Sequence, residues 1–265
     1  MTFPAPVDFK EAMENRAVRS ILPTNLSSKM LSELPRAVRE RAVFSAGVQN
    51  ADFLERAAKA IDAISGGTSN RATERTALRE LAEEFDLPAL QGDGRLNLLL
   101  DTNVKMSRGF GSWIEGQHPS VLMMWPAQEL YRAEERKEPR DWPARWEEAG
   151  GQFFEGDSDY PDGRMIALKN DPIWEDISAF GLPYAPFDYN SGMDLRDVGY
   201  DEAVELGLIE EGQEEEPEDR GLNEGLQASV GLAGNFGLGL MLGEFLGSVA
   251  KVGIDGIARF IGAGS

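Results

Sequence analysis

The chain has 265 residues, of which 42% are hydrophobic, enough for one large domain or for a domain with appendages. Its formal net charge of −20 repels nucleic acid at long range, so any contact with DNA requires a local basic patch. The chain has no cysteine and a single histidine, His118, which excludes disulfides, thiolate zinc sites and cysteine nucleophiles and argues against a Ser–His–Asp triad or a two-histidine metal site.

The N-terminal residues lack the basic stretch and apolar core of a secretory signal, so we expect synthesis and folding in a cytoplasm.

The first half of the chain has the apolar spacing of helices. Apolar residues from Leu31 to Ile64 recur near a 3.6-residue period, and two further helices are predicted over Thr73–Phe85 and Leu96–Trp113. The predicted inward face of the last helix comprises Leu96, Leu99, Leu100, Val104 and Met106. Residues 1–117 are therefore predicted to form a helical scaffold.

The chain changes character after Gly116, where proline and tryptophan become frequent and periodicity weakens. We predict that residues 118–200 form a compact, irregular α+β unit with short strands. Gly163–Lys169 is the best strand candidate, because its side chains alternate, and Asp171–Pro172 ends it. The predicted fold class is α+β and predominantly α-helical, with long N-terminal helices, this Pro/Trp-rich unit, an acidic linker and a Gly-rich helical tail.

Two segments of contrasting composition complete the chain. Residues 201–220 hold ten acidic residues and one basic residue, which favours a solvated linker; the alternative is a contact for a basic partner surface. Residues 221–265 form an apolar tail rich in glycine. The glycines spaced four apart on one predicted helical face, where they permit close helix–helix contact, are Gly239, Gly243 and Gly247. The tail is interpreted as a helix that self-associates or packs on a partner, a membrane-spanning helix over Ser229–Ala250, or a disordered segment.

Three groups of polar residues are candidates for chemistry, and each has a simpler interpretation. The loop 157–163 resembles a calcium loop but departs from EF-hand spacing, which favours an acidic turn. Asp188, Asp194 and Asp197 are candidates for a carboxylate pair, although loop capping explains them better. His118 precedes a proline and is interpreted as a helix C-terminal cation or a surface residue. We therefore expect no enzymatic activity, no catalytic residue, no metal site and no cofactor.

One stretch, RLNLLLDTNVKMSRGFGSW over Arg95–Trp113, resembles a helix of phage minor head proteins of the Mu F-like head-morphogenesis family. That helix has the form R-L-x-x-I-x-x-T-N-x-x-x-A-x-G. The matching residues are Arg95, Leu96, Thr102, Asn103 and Gly109, with Ser107 where a small residue is expected. Because Thr102 and Asn103 are poor interior helix residues, we expect their side chains to bond to a specific partner, such as the unit downstream. The alternative is a helix that breaks near residue 102.

A second stretch, Trp142–Val198, resembles the end of the same family's domain, where a Gly-led short strand and D-P-x-W precede a Pro-rich segment and a final helix. The residues that match this order are Gly163, Asp171, Pro172, Trp174, Pro183 and Pro186, followed by the run Glu202–Leu208. Many members carry cysteine and histidine after the prolines, which indicates a structural metal, whereas residues 186–193 here contain no thiol. The aromatic residues expected to replace the metal by packing are Trp142, Trp146, Trp174, Tyr184, Phe187 and Tyr189.

The resemblance covers roughly residues 35–210 and implies a virion structural protein. It implies a minor head protein that acts in head morphogenesis at or near the portal, and in genome delivery, by protein–protein binding. The implied partners are the portal protein, the major capsid protein or both, with several copies or a homo-oligomer in each particle after assembly in the host cytoplasm. The alternatives are a high-copy capsid, decoration or connector protein, and a membrane-active ejected protein that acts through residues 221–265.

Overall fold

A computed structural model defines residues 20–21, 42–43, 45, 47–158 and 160–218, and the backbone of strands at 227–229, 250–252 and 257–260. Contacts divide the chain into two units, Met1–Ser107 with Arg220–Ser265 and Arg108–Asp219. Helices combine with a four-stranded antiparallel sheet, so the predicted α+β class is confirmed.

Three helices begin in the first unit, namely α1 (Ala51–Ser65), α2 (Arg71–Glu84) and α3 (Asp93–Gly116). Asparagine begins the first two, because its side-chain oxygen accepts a hydrogen bond from the backbone N–H three residues later, at 2.8 Å for Asn50 and 3.0 Å for Asn70. A short 3-10 turn, Pro88–Leu90, precedes α3. The helices predicted over residues 73–85 and 96–113 are confirmed, and α3 extends several residues further at its start.

The long helix predicted from Leu31 to Ile64 is wrong for the described residues before α1. Strand β2 (Ala42–Val43) pairs in parallel with β1 (Ser20–Ile21), and Gly47 has a φ of 67°. A positive φ is incompatible with a continuous α-helix. Val43 nevertheless packs in the same core as α1. The helical spacing of these apolar residues therefore arises because separate elements pack in one core, and not from one continuous helix. Residues 31–41 lie outside the described part of the chain.

An apolar core and a charged ladder align the helices of the first unit. Its fully buried side chains include Phe53, Leu54, Ile61, Leu78, Leu96 and Leu100. Arginines recur every fourth residue on one face of α2, at Arg71, Arg75 and Arg79. They contact polar residues of α3 in reverse order, namely Asp101, Asn97 and Asp93. The ladder therefore sets an antiparallel register between α2 and α3.

A four-stranded antiparallel sheet forms the centre of the second unit, with strand order β4-β5-β3-β6. Its strands are β3 (Ala127–Arg132), β4 (Phe153–Phe154), β5 (Arg164–Leu168) and β6 (Met193–Val198). The short helices of the unit are α4 (Pro119–Met124), α5 (Trp142–Glu148), α6 (Ile173–Asp176) and α7 (Tyr200–Glu205). The strand predicted over Gly163–Lys169 is confirmed as β5.

An aromatic core covers one face of this sheet. The ring centroids of Trp146 and Trp174 lie 5.4 Å apart, and those of Trp174 and Phe187 lie 6.0 Å apart. The indole N–H of Trp174 donates to Leu168 O at 2.7 Å, which satisfies a polar atom that would otherwise be buried without a partner. Of the other predicted aromatics, Trp142 lies in the same core, and Tyr184 and Tyr189 contact Phe110 and Phe180. The expected aromatic packing is confirmed.

Helix α7 covers the opposite face of the sheet. Ala203 and Ile209 are buried there together with Ile166 and Val198. The folded unit therefore extends past residue 201, where the sequence predicted that the acidic linker begins. Charged residues dominate the composition of residues 201–220, but the few apolar side chains among them lie on one side and are buried against the sheet.

The described residues of the tail form a three-stranded sheet of order β7-β9-β8, with β7 (Gln227–Ser229), β8 (Ala250–Val252) and β9 (Ile257–Phe260). The prediction of a helical tail is therefore wrong at these residues. Antiparallel pairing along β9 satisfies the backbone groups that a helix would have satisfied internally. Gly239, Gly243 and Gly247 lie outside the described residues, so their helix–helix contact stays a prediction. In the described part of the chain, no helix has both the length and the apolar character needed to cross a membrane.

Candidate protein-binding surface

Five residues of the first motif lie on α3 within the first unit, namely Arg95, Leu96, Thr102, Asn103 and Ser107. The Arg95 guanidinium donates to Ser45 Oγ at 3.4 Å. Thr102 and Asn103 are buried, and Asn103 Nδ2 donates to Leu99 O at 2.8 Å, one turn earlier in the same helix. Helix α3 continues through these residues, so the alternative of a break near residue 102 is wrong. The bond to the preceding turn explains how a helix tolerates a buried amide side chain.

Two glycines of the motifs lie where backbone approaches backbone in the second unit. A Cβ atom on Gly109 of α3 would lie 1.8 Å from Ala185 O, in the proline-rich loop beside the cis Ala185–Pro186 bond. A Cβ atom on Gly163, whose φ is +115°, would lie 2.6 Å from Phe154 O. Neither position accommodates a side chain without displacement of backbone. Gly109 therefore joins the two stretches of chain that carry the family resemblance.

The D-P-x-W residues form a turn at the end of β5. Asp171 Oδ1 accepts a hydrogen bond from Ile173 N at 2.8 Å, and Pro172 continues into α6. The turn directs Trp174 back to the strand that precedes it, where its indole donates to Leu168 O. These residues are structural, because they hold the aromatic core against the end of the strand.

A buried carboxylate organises the charges on the face of the sheet that α7 covers. Glu129 on β3 is 2% exposed and accepts hydrogen bonds from Arg164 at 2.7 and 2.9 Å and from Arg196 at 2.6 and 3.0 Å. Arg164 also donates to Glu202 on α7 at 2.6 Å. The hydrogen bond to Glu129 raises the pKa of Arg164. Because these groups satisfy one another, the network braces three strands and a helix.

The three carboxylates considered as a catalytic pair do not converge. Asp188 Oδ2 lies 3.1 Å from the guanidinium groups of Arg140 and Arg145. Asp194 Oδ1 accepts a hydrogen bond from the next backbone N–H at 2.9 Å. Asp197 Oδ1 pairs with the ammonium of a buried lysine at 2.7 Å. Asp188 Oδ1 also accepts a hydrogen bond from the next backbone N–H at 2.7 Å, which is the loop capping expected of it, whereas Asp194 and Asp197 lie on strand β6 and not in a loop.

The remaining candidates for chemistry also make local hydrogen bonds. His118 is exposed and caps the N-terminus of α4, where Ser120 N donates to its Nδ1 at 3.4 Å. The interpretation as a surface residue is therefore confirmed and that as a helix C-terminal cation is wrong, because His118 caps the helix that follows. In the loop 157–163, Ser158 Oγ donates to the carbonyl oxygen of the last residue at 2.8 Å. Asp159 lies outside the described residues, among which no group of three or more His, Asp or Glu side chains is placed to hold a metal.

Three consecutive large apolar side chains at the end of α4 are exposed, and we name them the Met–Trp patch. Met123 is 52% exposed, Met124 51% and Trp125 38%. The preceding residue, Leu122, is fully buried, so α4 is anchored by one side while the patch faces solvent. Burial of such a side chain stabilises by about 1.5–3 kcal/mol, and exposing three in succession therefore forgoes considerable stability. Contiguous exposed apolar surface marks interaction sites.

An acidic segment, residues 210–218, is held by its main chain, and we name it the acidic strap. Asn170 Nδ2 donates to Glu216 O at 2.7 Å, and the backbone N–H two residues later donates to Gln117 Oε1 at 2.7 Å. Gln117 Nε2 in turn donates to Asn170 Oδ1 at 2.6 Å. Because the main chain makes these bonds, the side chains of Glu214 and Glu216 stay exposed.

One carboxyl of the acidic strap faces inward. Burial, and second the nearby charge of Asp171, raise the pKa of Glu215. Ionisation of this group therefore opposes docking of the strap, and protonation favours it.

The sequence analysis predicts neither the Met–Trp patch nor the charged ladder between α2 and α3, although the ladder has a visible pattern in the sequence. The four-residue spacing of the arginines on α2 is visible in the sequence, whereas exposure of Met123 and Trp125 is not, because an apolar run without periodicity is equally typical of a core. No protein-family model, no curated protein and no solved structure matches this chain.

Proposed function

We propose that this chain is a phage virion structural protein, a minor head protein that acts in head morphogenesis at or near the portal by binding other proteins. The observation that carries the proposal is the contact between Gly109 and Ala185. It brings the end of the first stretch that resembles the family, at Gly109, against the proline-rich loop of the second stretch, within the second unit. The mechanism is binding and not turnover, and it requires no cofactor.

Each region of the chain has a separate role in this proposal. Helices in residues 1–117 supply the scaffold and contacts between copies. The unit over residues 118–200 presents the docking surface for the portal protein, the major capsid protein or both. The exposed Met–Trp patch supports this role, because methionine and tryptophan are enriched in the cores of protein interfaces. Contact with DNA is confined to a local basic patch, and the tail over residues 221–265 provides a second contact or acts on the host membrane during genome delivery.

Copy number tests the proposal. Phage particles purified on a density gradient would be analysed by quantitative mass spectrometry, with the major capsid protein as the internal standard. The proposal expects a few copies per particle, and loss of DNA-filled heads when the gene is deleted. Hundreds of copies would favour a capsid, decoration or connector protein instead. Absence of the chain from particles that are otherwise complete would refute the virion assignment.

A further inference from the structure

We propose that the Met–Trp patch and the exposed carboxylates of the acidic strap together bind a segment of another protein that combines apolar anchors with lysine or arginine. This inference rests on the proposed function as a binding protein and names the chemistry of the partner.

The patch provides the apolar half of the surface. Met123, Met124 and Trp125 follow one another at the end of α4, and each is more than a third exposed. Thioether side chains adapt to differently shaped apolar partners, and an aromatic ring supplies a rigid anchor. Helix α4 is fixed beneath the patch by the buried Leu122, so the surface is preformed and loses little entropy on binding.

Two hydrogen bonds place the acidic strap beside the patch. Pro126, next to Trp125, accepts a hydrogen bond from Lys169 N at 2.8 Å through its carbonyl oxygen. The following residue, Asn170, donates to Glu216 O at 2.7 Å. Only two residue steps and two short hydrogen bonds therefore separate Trp125 from Glu216. The main chain of the strap is therefore anchored to the segment that pairs with the end of α4.

The strap leaves its carboxylates available to a partner. Main-chain atoms of the strap make the hydrogen bonds with Asn170 and Gln117, and the side chains of Glu214 and Glu216 are exposed. The ammonium group of Lys169 nearby is already paired with Asp197 at 2.7 Å. An apolar surface with a negative edge attracts a cationic apolar segment and repels an acidic one.

Charge also decides between possible occupants. A second copy of this chain brings another formal charge of −20 and a second acidic strap, which opposes self-association through this face. Nucleic acid is repelled for the same reason. A basic segment of a different protein satisfies both halves of the surface.

A peptide-binding experiment with the full chain tests the inference. The probe is a fluorescein-labelled amphipathic peptide of leucine and lysine, and its control is the same peptide with glutamate in place of lysine. Fluorescence anisotropy is expected to show binding of the lysine peptide only. Equal binding of both peptides, or binding of neither, would overturn the inference. Sedimentation of the protein alone tests the competing occupant, because a dimer lost on mutation of the patch would also overturn it.

Matched variants assign the binding to each half of the surface. The double substitution Met123→Ser with Met124→Ser is expected to weaken binding by about 30-fold, as for interface hot spots. The same pair changed to leucine is expected to retain affinity within about threefold, because the apolar area remains. Undiminished affinity of the serine variant would refute the role of the patch.

Charge is tested by two double substitutions that remove the same number of charges, one in the acidic strap and one on α2 in the other unit. Glu214→Gln with Glu216→Gln is expected to weaken binding by about three- to tenfold at low salt, with little effect at high salt. The control, Glu83→Gln with Glu84→Gln at the exposed end of α2, removes the same charge and is expected to change affinity less than twofold. An equal loss of peptide affinity in the two double variants would show that net charge alone attracts the peptide, which would contradict a specific site.

A particle assay separates failure of this inference from failure of the proposed function. If the wild-type chain is found in particles and the serine variant enters them equally well, the docking surface is refuted while the virion role stands. If the wild-type chain is absent from particles but binds the lysine peptide through the patch, the virion role is refuted while the partner chemistry stands.

Discussion

Substitution of Gly109 by alanine tests the contact on which the proposed function rests. The added Cβ would lie 1.8 Å from Ala185 O, whereas Cβ atoms essentially never approach closer than 3.0 Å, so helix and loop must separate by at least 1.2 Å (3.0 minus 1.8). The neighbouring atom is a backbone oxygen and cannot rotate away. Overpacking of this kind costs about 1–3 kcal/mol, and the upper end applies because backbone must move. Alanine recovers about 1 kcal/mol of helix propensity, which leaves a net loss of about 2 kcal/mol.

Gly116 in the same helix provides the control. A Cβ atom there would lie 3.7 Å from Lys169 Nζ, an ordinary van der Waals distance. Alanine at residue 116 is therefore expected to leave the free energy of unfolding unchanged or to raise it by up to about 1 kcal/mol.

Urea titration followed by tryptophan fluorescence measures the difference between the two variants. All five tryptophans lie between residues 113 and 174, so their fluorescence reports on the second unit alone. The alanine variant at residue 109 should have the lower unfolding midpoint, with an unchanged dependence on urea. A variant at residue 109 that is as stable as the one at residue 116 would refute the close approach and weaken the proposed function.

Four further substitutions, of which Glu202→Gln is a control, probe the packing of the second unit. Glu129→Gln should lower the free energy of unfolding by about 3 kcal/mol, because the 2% exposed carboxylate of Glu129 pairs with both Arg164 and Arg196. Glu202→Gln, at a more exposed carboxylate that pairs with Arg164, should cost less than about 1 kcal/mol. Equal losses in urea titrations would contradict the central role of Glu129. Trp174→Phe removes the donor to Leu168 O and should cost about 1–3 kcal/mol in the same titration, and an unchanged midpoint would show that this hydrogen bond contributes nothing. The pKa of Glu215 is raised in the folded chain, so ionisation of this carboxyl weakens docking of the acidic strap. The loss of docking free energy is absent below the ordinary pKa of glutamate and develops as the pH rises through the raised pKa. Hydrogen exchange of the strap amides, corrected for its intrinsic pH dependence, should therefore become faster with rising pH in the wild type and not in Glu215→Gln. The same pH dependence of exchange in both proteins would disprove the role of Glu215 in docking of the strap.

The elements of this chain were predictable where local signals agreed. Helices α2 and α3 have an asparagine cap or turn residues before them and apolar residues at helical spacing, so local propensity and burial indicate the same structure. Strand β5 was predictable because its side chains alternate between the two faces of the sheet. Prediction failed around Val43, where apolar residues from separate elements enter one core and imitate a single helix.

The acidic segment shows how composition alone misleads. Charge over residues 201–220 predicted a linker, yet Ala203 and Ile209 bury against the sheet, because two or three apolar contacts suffice when the partner surface already exists. Such a partner surface is assembled from residues far apart in the chain, and no local pattern reports it.

By itself the sequence determined the α+β class, the approximate extents of helices α2 and α3 and of strand β5, the absence of thiol chemistry and the aromatic character of the second unit. These properties follow from residue type and spacing, which act locally. Only the tertiary structure decided that Gly109 meets Ala185, that Glu129 is buried between two arginines, and that Met123 faces solvent. Each of these depends on which distant segment packs against which, so the candidate surface became visible only when the chain was folded.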